Sequence, residues 1–286
     1  MPLSDIVNVT VSKSTANISR AGFGYALILG KTAKFHRIAW ISQSDYASEL
    51  ATEGLVSGDA IYDAVVDHFA QNPAPTRVAI GQRKCARVTV TVDSVANLTD
   101  YTITVATDAN RTARTYTYTS DATATQTEIA NALALAITNG ETEVSASNVA
   151  DDVQIDVVGS AAFGIQRPVA QSSLLTVGAA ASTIEDSDDA LDAIKILDDD
   201  WYGLCCADDG AVGEKSDQQL IVQWAETNRK LFIARTSDPA CLSADTSSII
   251  YYINNGGYAY SAGIYHSLGA TEYIDAAWLG DRLPFD

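Results

Sequence analysis

The sequence predicts an α/β fold, α+β in its arrangement: a mixed, partly parallel sheet with flanking helices, interrupted by an inserted β-rich domain with one helix. Three observations predict it. Apolar runs at residues 25–30 and 231–234 are nearly continuous, as in strands covered on both faces. Between such runs, apolar residues recur every three or four positions, the period of an amphipathic helix. From Arg87 the texture changes to valines alternating with threonines, the period of half-buried strands. The division that follows is a discontinuous α/β domain, residues 1–86 with 183–286, and an insertion, residues 87–182. A chain of 286 residues can bury cores for both.

The first element is a strand in which Val7, Val9 and Val11 share one side and Asn8, Thr10 and Ser12 the other, half-buried or seeking a partner. Strands follow at residues 25–30 and 36–41. A helix is expected over residues 58–71, where Ile61, Val65 and Phe69 recur every four residues and Tyr62 and Val66 widen the stripe. Pro73 and Pro75 stop it. A strand at residues 77–81 completes strand, helix, strand, which predicts a parallel crossover.

In the insertion, Val88, Val90 and Val92 mark one strand, Tyr101, Ile103 and Val105 a second, and Tyr116 with Tyr118 a third. A helix opens at Thr125, where Glu128 completes a capping box, with Ile129, Leu133, Ala136 and Ile137 as its inner face. Val153, Ile155 and Val157 give a further strand, and residues 173–177 the last. Beyond it, Leu191, Ile194 and Leu197 form a helical stripe leading into a strand at residues 201–206. Ser216 and Gln219 make a second capping box for a helix with Leu220, Ile221, Trp224 and Ala225 on one face. Residues 231–234 are a buried strand. Ile249, Ile250 and Ile253 mark a helix that Asn255, Gly256 and Gly257 end, and a strand follows at residues 261–265.

The net charge of −18 is graded along the chain: +1 over residues 1–86, −6 over 87–182 and −13 over 183–286. Such a surface repels phosphate backbones and anionic lipid, which argues against nucleic-acid partners and membrane binding. No apolar run approaches the roughly 20 residues of a membrane helix. The first fifteen residues lack the basic-then-apolar layout of a signal peptide, so cytoplasmic synthesis is the default. Cys85, Cys205, Cys206 and Cys241 then read as small buried hydrophobes. Cys205 and Cys206, adjacent on a strand, point to opposite faces and are poorly placed to pair with each other.

The search for chemistry finds none. His36, His68 and His266 are far apart and lack metal-ligand spacing; His68 reads as a helix-surface residue and His266 as a strand end. Gly22-Phe23-Gly24 lacks the third glycine of a dinucleotide fingerprint and runs on into a strand. No phosphate-binding lysine loop and no nucleophile elbow occur. Asp198-Asp199-Asp200 and Asp208-Asp209-Gly210 lack the spacing of a calcium loop. The first triplet reads as a solvated connection after a helix, its charge compensated by solvent or an assembly contact. The sequons at Asn8, Asn17, Asn97 and Asn110 read as chance in a Thr/Ser-rich chain. No catalytic, cofactor-binding or metal-binding residue is predicted, and no cofactor.

One resemblance rests on short stretches of moderate specificity, and their order is its stronger signal. Residues 197–238 carry Asp198-Asp199-Asp200 before Trp201-Tyr202, then Trp224-Ala225-Glu226 on a helix, then Lys230-Leu231-Phe232 closing on Thr236-Ser237-Asp238. This wording is similar to the tail sheath protein of contractile-tailed bacteriophages. Further matches keep the family's order: Ser4 to Val9, Phe23-Gly24 with Leu27-Ile28-Leu29-Gly30, Gly257-Tyr258, Ile264-Tyr265-His266, and Ala276-Ala277-Trp278-Leu279-Gly280. They span most of residues 1–86 and 183–286; the insertion shows no match.

The resemblance implies a structural protein, not an enzyme. Its partners would be copies of itself in hexameric rings, the tail tube protein and the baseplate, and it would reside in the virion tail after assembly in the host cytoplasm. It also implies an inter-subunit arm that adds a strand to a neighbour, for which Asp5, Ile6, Val7, Asn8, Val9, Thr10 and Val11 are the candidates by position. By alternation alone the same residues read equally as the first strand of the chain's own sheet. Sheath proteins continue past the position of Leu279-Gly280 into a further domain, so this chain is expected to be a fragment and, as such, monomeric. Two other readings stand beside this one. An α/β enzyme with an unrecognised site would show a pocket of converging, shifted carboxylates. A cell-surface or adhesive β-domain protein would show secretion or calcium-dependent melting.

Overall fold

The structure is a computed structural model that describes residues 24–109, 112–208, 215–243 and 245–283. In chain order, β1 (Ala26–Lys31), β2 (Ile38–Ser42), α1 (Tyr46–Thr52), α2 (Ala60–Phe69) and β3 (Arg77–Arg83) come first. There follow β4 (Arg87–Val92), β5 (Asp100–Thr107), β6 (Arg114–Thr119), α3 (Gln126–Gly140), β7 (Val144–Val149), β8 (Asp152–Val157), β9 (Phe163–Gln166) and β10 (Leu175–Val177). The chain then runs through α4 (Ser187–Leu197), β11 (Gly203–Cys206), α5 (Lys215–Asn228), β12 (Leu231–Thr236), α6 (Ile249–Gly256), β13 (Ser261–Tyr265) and α7 (Ile274–Arg282).

The elements before β4 and after β10 build a mixed sheet of six strands, ordered β13-β12-β11-β1-β3-β2. All pairings are parallel except β2 with β3. The expected parallel crossover therefore joins β1 to β3. Residues 36–41, expected to be its first strand, instead supply β2, an antiparallel edge. Ser42 and Gln43 leave β2 through a short bend into α1, a helix of seven residues with only Leu50 buried, too weak an apolar signal to register in the sequence.

The continuous apolar run of β1 reflects burial on both faces. Ile28 packs with Ile61, Val65, Leu279 and Cys205, under α2 and α7. Leu27 and Leu29 pack with Leu191, Ile194, Ile221, Ile249 and Cys206, under α4, α5 and α6. Cys205 and Cys206 thus face opposite sides of the sheet, as alternation requires. Cys241 is only partly buried, unlike the other three cysteines. Burying the α2 stripe of Ile61, Val65 and Phe69 contributes about 1.5–3 kcal/mol per side chain.

Residues 87–177 form two further sheets, β10-β4-β8-β7 and β6-β5-β9, around one shared core with α3. Val88, Val90, Val92, Tyr101, Ile103 and Val105 all point into it. On α3, Ala130 and Ala134 are buried with Ile129, Leu133 and Ile137, whereas Ala136 is only half-buried. Thr125 caps α3 by accepting the Glu128 N–H at 3.2 Å. The second half of the expected box is redirected, because the Glu128 carboxylate accepts the Tyr118 hydroxyl. β7 and β9 had no sequence signal: only Val144 is buried on β7, and β9 has four residues.

Two further expectations shift. α5 already includes Lys215, so Ser216 lies within its first turn and is not the N-cap. α6 ends as expected, with Gly257 in the left-handed region at φ +66°. A buried polar lattice joins the two sets of sheets. Gln82 donates from Nε2 to the carbonyls of Phe163 (2.7 Å) and Thr32 (2.9 Å) and accepts the Arg37 N–H (3.1 Å). Beside it, the buried Arg37 guanidinium grips both oxygens of Glu185 at 2.8 and 2.9 Å.

Candidate functional site

Ligands of open α/β sheets bind outside the carboxyl ends of the strands, where the winding reverses. Here the chain winds from β1 to β3 on one side and returns through β11 on the other, so the reversal lies between β1 and β11. A cleft of about 220 Å³ lies there, lined by Lys31, Lys34, Leu55, Asp59, Ile61 and Asp208 among others. The Lys31 N–H donates to the Asp208 carboxylate across the two strand ends. Asp59 sits at the N-cap of α2, but its carboxylate accepts Lys34 Nζ (2.9 and 2.7 Å) and the Val56 N–H (2.8 Å). Lys34 and Asp59 neutralise each other, and the space is below the roughly 300 Å³ at which small-molecule sites begin. The position suits a ligand; the side chains present no nucleophile and base in register.

A second cluster is buried. Arg235, near the end of β12, donates from Nη1 to the Glu272 carbonyl (3.0 Å) and from Nη2 to the Ala207 carbonyl (3.1 Å). Its guanidinium lies 4.3 Å from the Tyr273 ring centroid. Nε is 3.6 Å from Asp275 Oδ1 on α7. Burial outweighs the Arg235 charge and pushes the Asp275 carboxyl up to about 6. His68 is buried against the same helix, its Nδ1 3.0 Å from the Ala276 carbonyl. Burial lowers its pKa to about 4. This corrects the expectation of a surface histidine: α7 covers the face of α2 that carries His68, and nothing in the local sequence of α2 announces that cover.

The acidic triplet is also corrected. Asp198 accepts the Trp40 indole N–H at 2.8 Å, Asp199 pairs with Lys230 at 2.7 Å, and Asp200 pairs with Arg77 at 2.6 Å. Arg77 lies 4.2 Å from the centroids of both Tyr25 and Trp40, while Lys230 lies 4.4 Å from that of Trp201. Trp201 stacks on Trp224 at 5.9 Å. Each aspartate thus has a partner within the chain, and together they tie β2, β3, α4 and α5. No group of three or more His, Cys, Asp or Glu among the described residues could hold a metal ion.

His36 pairs with Asp108 at 3.0 Å. Burial would raise the Asp108 carboxyl, but the hydrogen bonds from His36 and the Ala162 N–H hold it down to about 2. His266 follows β13 and lies 3.4 Å from Glu272. The three histidines do not converge. The candidate arm, residues 5–11, lies outside the described residues.

No family model matches the chain, and no curated protein matches it. The residues missed from the sequence, Arg235, Asp275 and Gln82, are single polar positions within apolar or mixed segments. They become notable only when segments 28 to 81 residues apart are brought together.

Proposed function

We propose that this chain is a sheath subunit of a phage contractile tail: a structural protein, not an enzyme. The observation that carries the reading is the ordered set of landmarks between Leu197 and Asp238, with its companions on either side. Their chemistry supports it. Asp198, Asp199, Asp200, Trp201, Trp224 and Lys230 hold one another and their neighbours in place. Such residues suit a rigid block that moves as a body.

In this reading copies of the chain assemble as hexameric rings around a tail tube, starting from a baseplate, in the host cytoplasm, and reside in the virion tail. Assembly of that kind needs a heterologous interface that repeats without closing. The extended tube is a kinetic trap that relaxes by rigid-body subunit movement when one end is released. The strongly acidic surface fits partners other than nucleic acid or membrane. Assembly is nucleated polymerisation, so protein expressed from the whole gene is expected to pellet at high speed above a critical concentration and remain soluble below it.

The cleft between the ends of β1 and β11 favours one alternative, an α/β enzyme, because of its position in the fold. That reading requires a small molecule to bind there. Whole-gene protein that never pellets, and whose cleft takes up a ligand, belongs to it.

A further inference from the structure

α6 runs out through Asn255-Gly256-Gly257-Tyr258, and each glycine has a task there. Gly257, in the left-handed region at φ +66°, turns the chain back toward the helix it has just left. Gly256 leaves room for what returns: a Cβ added to it would lie 2.2 Å from Cε2 of Tyr258. The Tyr258 ring therefore folds over the end of α6 and stacks on Tyr252. Their ring centroids are 5.3 Å apart and the planes 30° from parallel. The two hydroxyls meet at 2.8 Å.

The pair is held from α5. Gln223 donates from Nε2 to the Tyr252 hydroxyl oxygen at 2.7 Å. Glu226, about one turn further along that helix, accepts the Ala259 N–H (2.8 Å) and the Tyr260 N–H (3.2 Å). Those bonds fix the chain just after Tyr258. Both tyrosines are only half-buried, so small solutes reach them. The contact between hydroxyls also brings together the ring carbons ortho to them. Two tyrosines keep this same relation in dityrosine, where a bond joins the ortho carbons and the hydroxyls flank it within hydrogen-bonding distance.

We propose that Tyr252 and Tyr258 form a modification site, at which hydrogen peroxide, acting through a peroxidase, couples the two rings of one chain into dityrosine. Each phenol gives up one electron and its hydroxyl proton. The two phenoxyl radicals join through one ortho carbon of each ring. The hydrogen on each of those carbons then moves to its own ring's oxygen and restores the hydroxyl. Hydrogen peroxide takes the two electrons and two protons; its O–O bond breaks and two waters form. Coupling within the chain outruns coupling between chains, because the partner ring is already in place. The new bond staples the end of α6 to the segment that enters β13. The inference does not depend on the sheath reading.

The test treats the dilute full chain with hydrogen peroxide and a haem peroxidase and reads dityrosine fluorescence. Protein that stays monomeric on a denaturing gel should carry the signal. Tandem mass spectrometry should place a loss of two hydrogens between Tyr252 and Tyr258. Tyr252→Phe and Tyr258→Phe keep the rings and remove a hydroxyl, and each is expected to lower the monomer's signal at least about tenfold. Tyr251→Phe, which alters a more exposed neighbour, should leave the signal unchanged. Equal signal in the wild type and Tyr258→Phe overturns the proposal. So does dityrosine found only in covalent dimers, which would assign it to collisions between exposed tyrosines of different molecules.

Discussion

Arg235 and Asp275 form a buried pair between the end of a parallel strand and the last helix, Nε to Oδ1 at 3.6 Å, with side chains 0% and 2% exposed. The contact is long, because the guanidinium is also turned toward the carbonyls of Glu272, Cys206 and Ala207. The pair, with His68, fixes α7 on the sheet and on α2.

The two titrating groups of this cluster act in opposite directions. His68 is lowered from 6.5 to about 4 in the fold, so its contribution to stability is present above pH 6.5 and is lost as pH falls toward 4. Asp275 is raised from 3.8 to about 6, so its contribution is present below 3.8 and is lost as pH rises through 6. His68→Gln removes the first and leaves the second. Between pH 7 and pH 5 the wild type should lose about 2 kcal/mol relative to this variant, read from urea unfolding at the two values. A difference that stays constant with pH would mean that His68 is not held neutral by burial.

Gln82 serves three backbone groups with one side chain. Gln82→Ala leaves the carbonyls of Phe163 and Thr32 and the Arg37 N–H buried without it, at a cost of about 3 kcal/mol in unfolding free energy. A loss under about 0.5 kcal/mol would show that these groups find water instead.

The aspartate triplet should divide by burial of its partners. Asp198→Ala strips the Trp40 indole N–H and the Asp200 N–H of their acceptor and costs about 1–3 kcal/mol, with a shift in tryptophan emission. Asp200→Ala breaks an ion pair whose side chains are 37% and 38% exposed, and should cost less than about 1 kcal/mol. The reverse order in chemical denaturation would contradict this assignment.

Much of the fold was legible because burial writes a period. β1, β12, α2 and the strands of Val88, Tyr101 and Val153 each carry an apolar pattern fixed by the faces they bury. The elements that escaped have little to bury: α1 contributes Leu50 alone, and β7 only Val144. The sense of pairing also escaped, since β2 looks the same whether it runs parallel or antiparallel. Of the candidate sites, the order of landmarks was legible but their purpose was not. Nothing near Asp198 points to Trp40, which lies 158 residues earlier.

Close packing of α7 on α2 depends on Gly280, where an added Cβ would lie 2.2 Å from the His68 carbonyl oxygen. Gly280→Ala must push the helices apart and should cost about 1–3 kcal/mol, seen as a lowered melting temperature. An unchanged melting temperature would mean that α7 can slide on α2.

The sheath reading makes a claim about shape, and electron microscopy reads shape directly. Negatively stained protein expressed from the whole gene, above its pelleting concentration, is expected to show hollow tubes or stacked rings of uniform diameter. Dispersed single particles at the same concentrations would contradict the sheath assignment and return the enzyme and adhesive readings to first place.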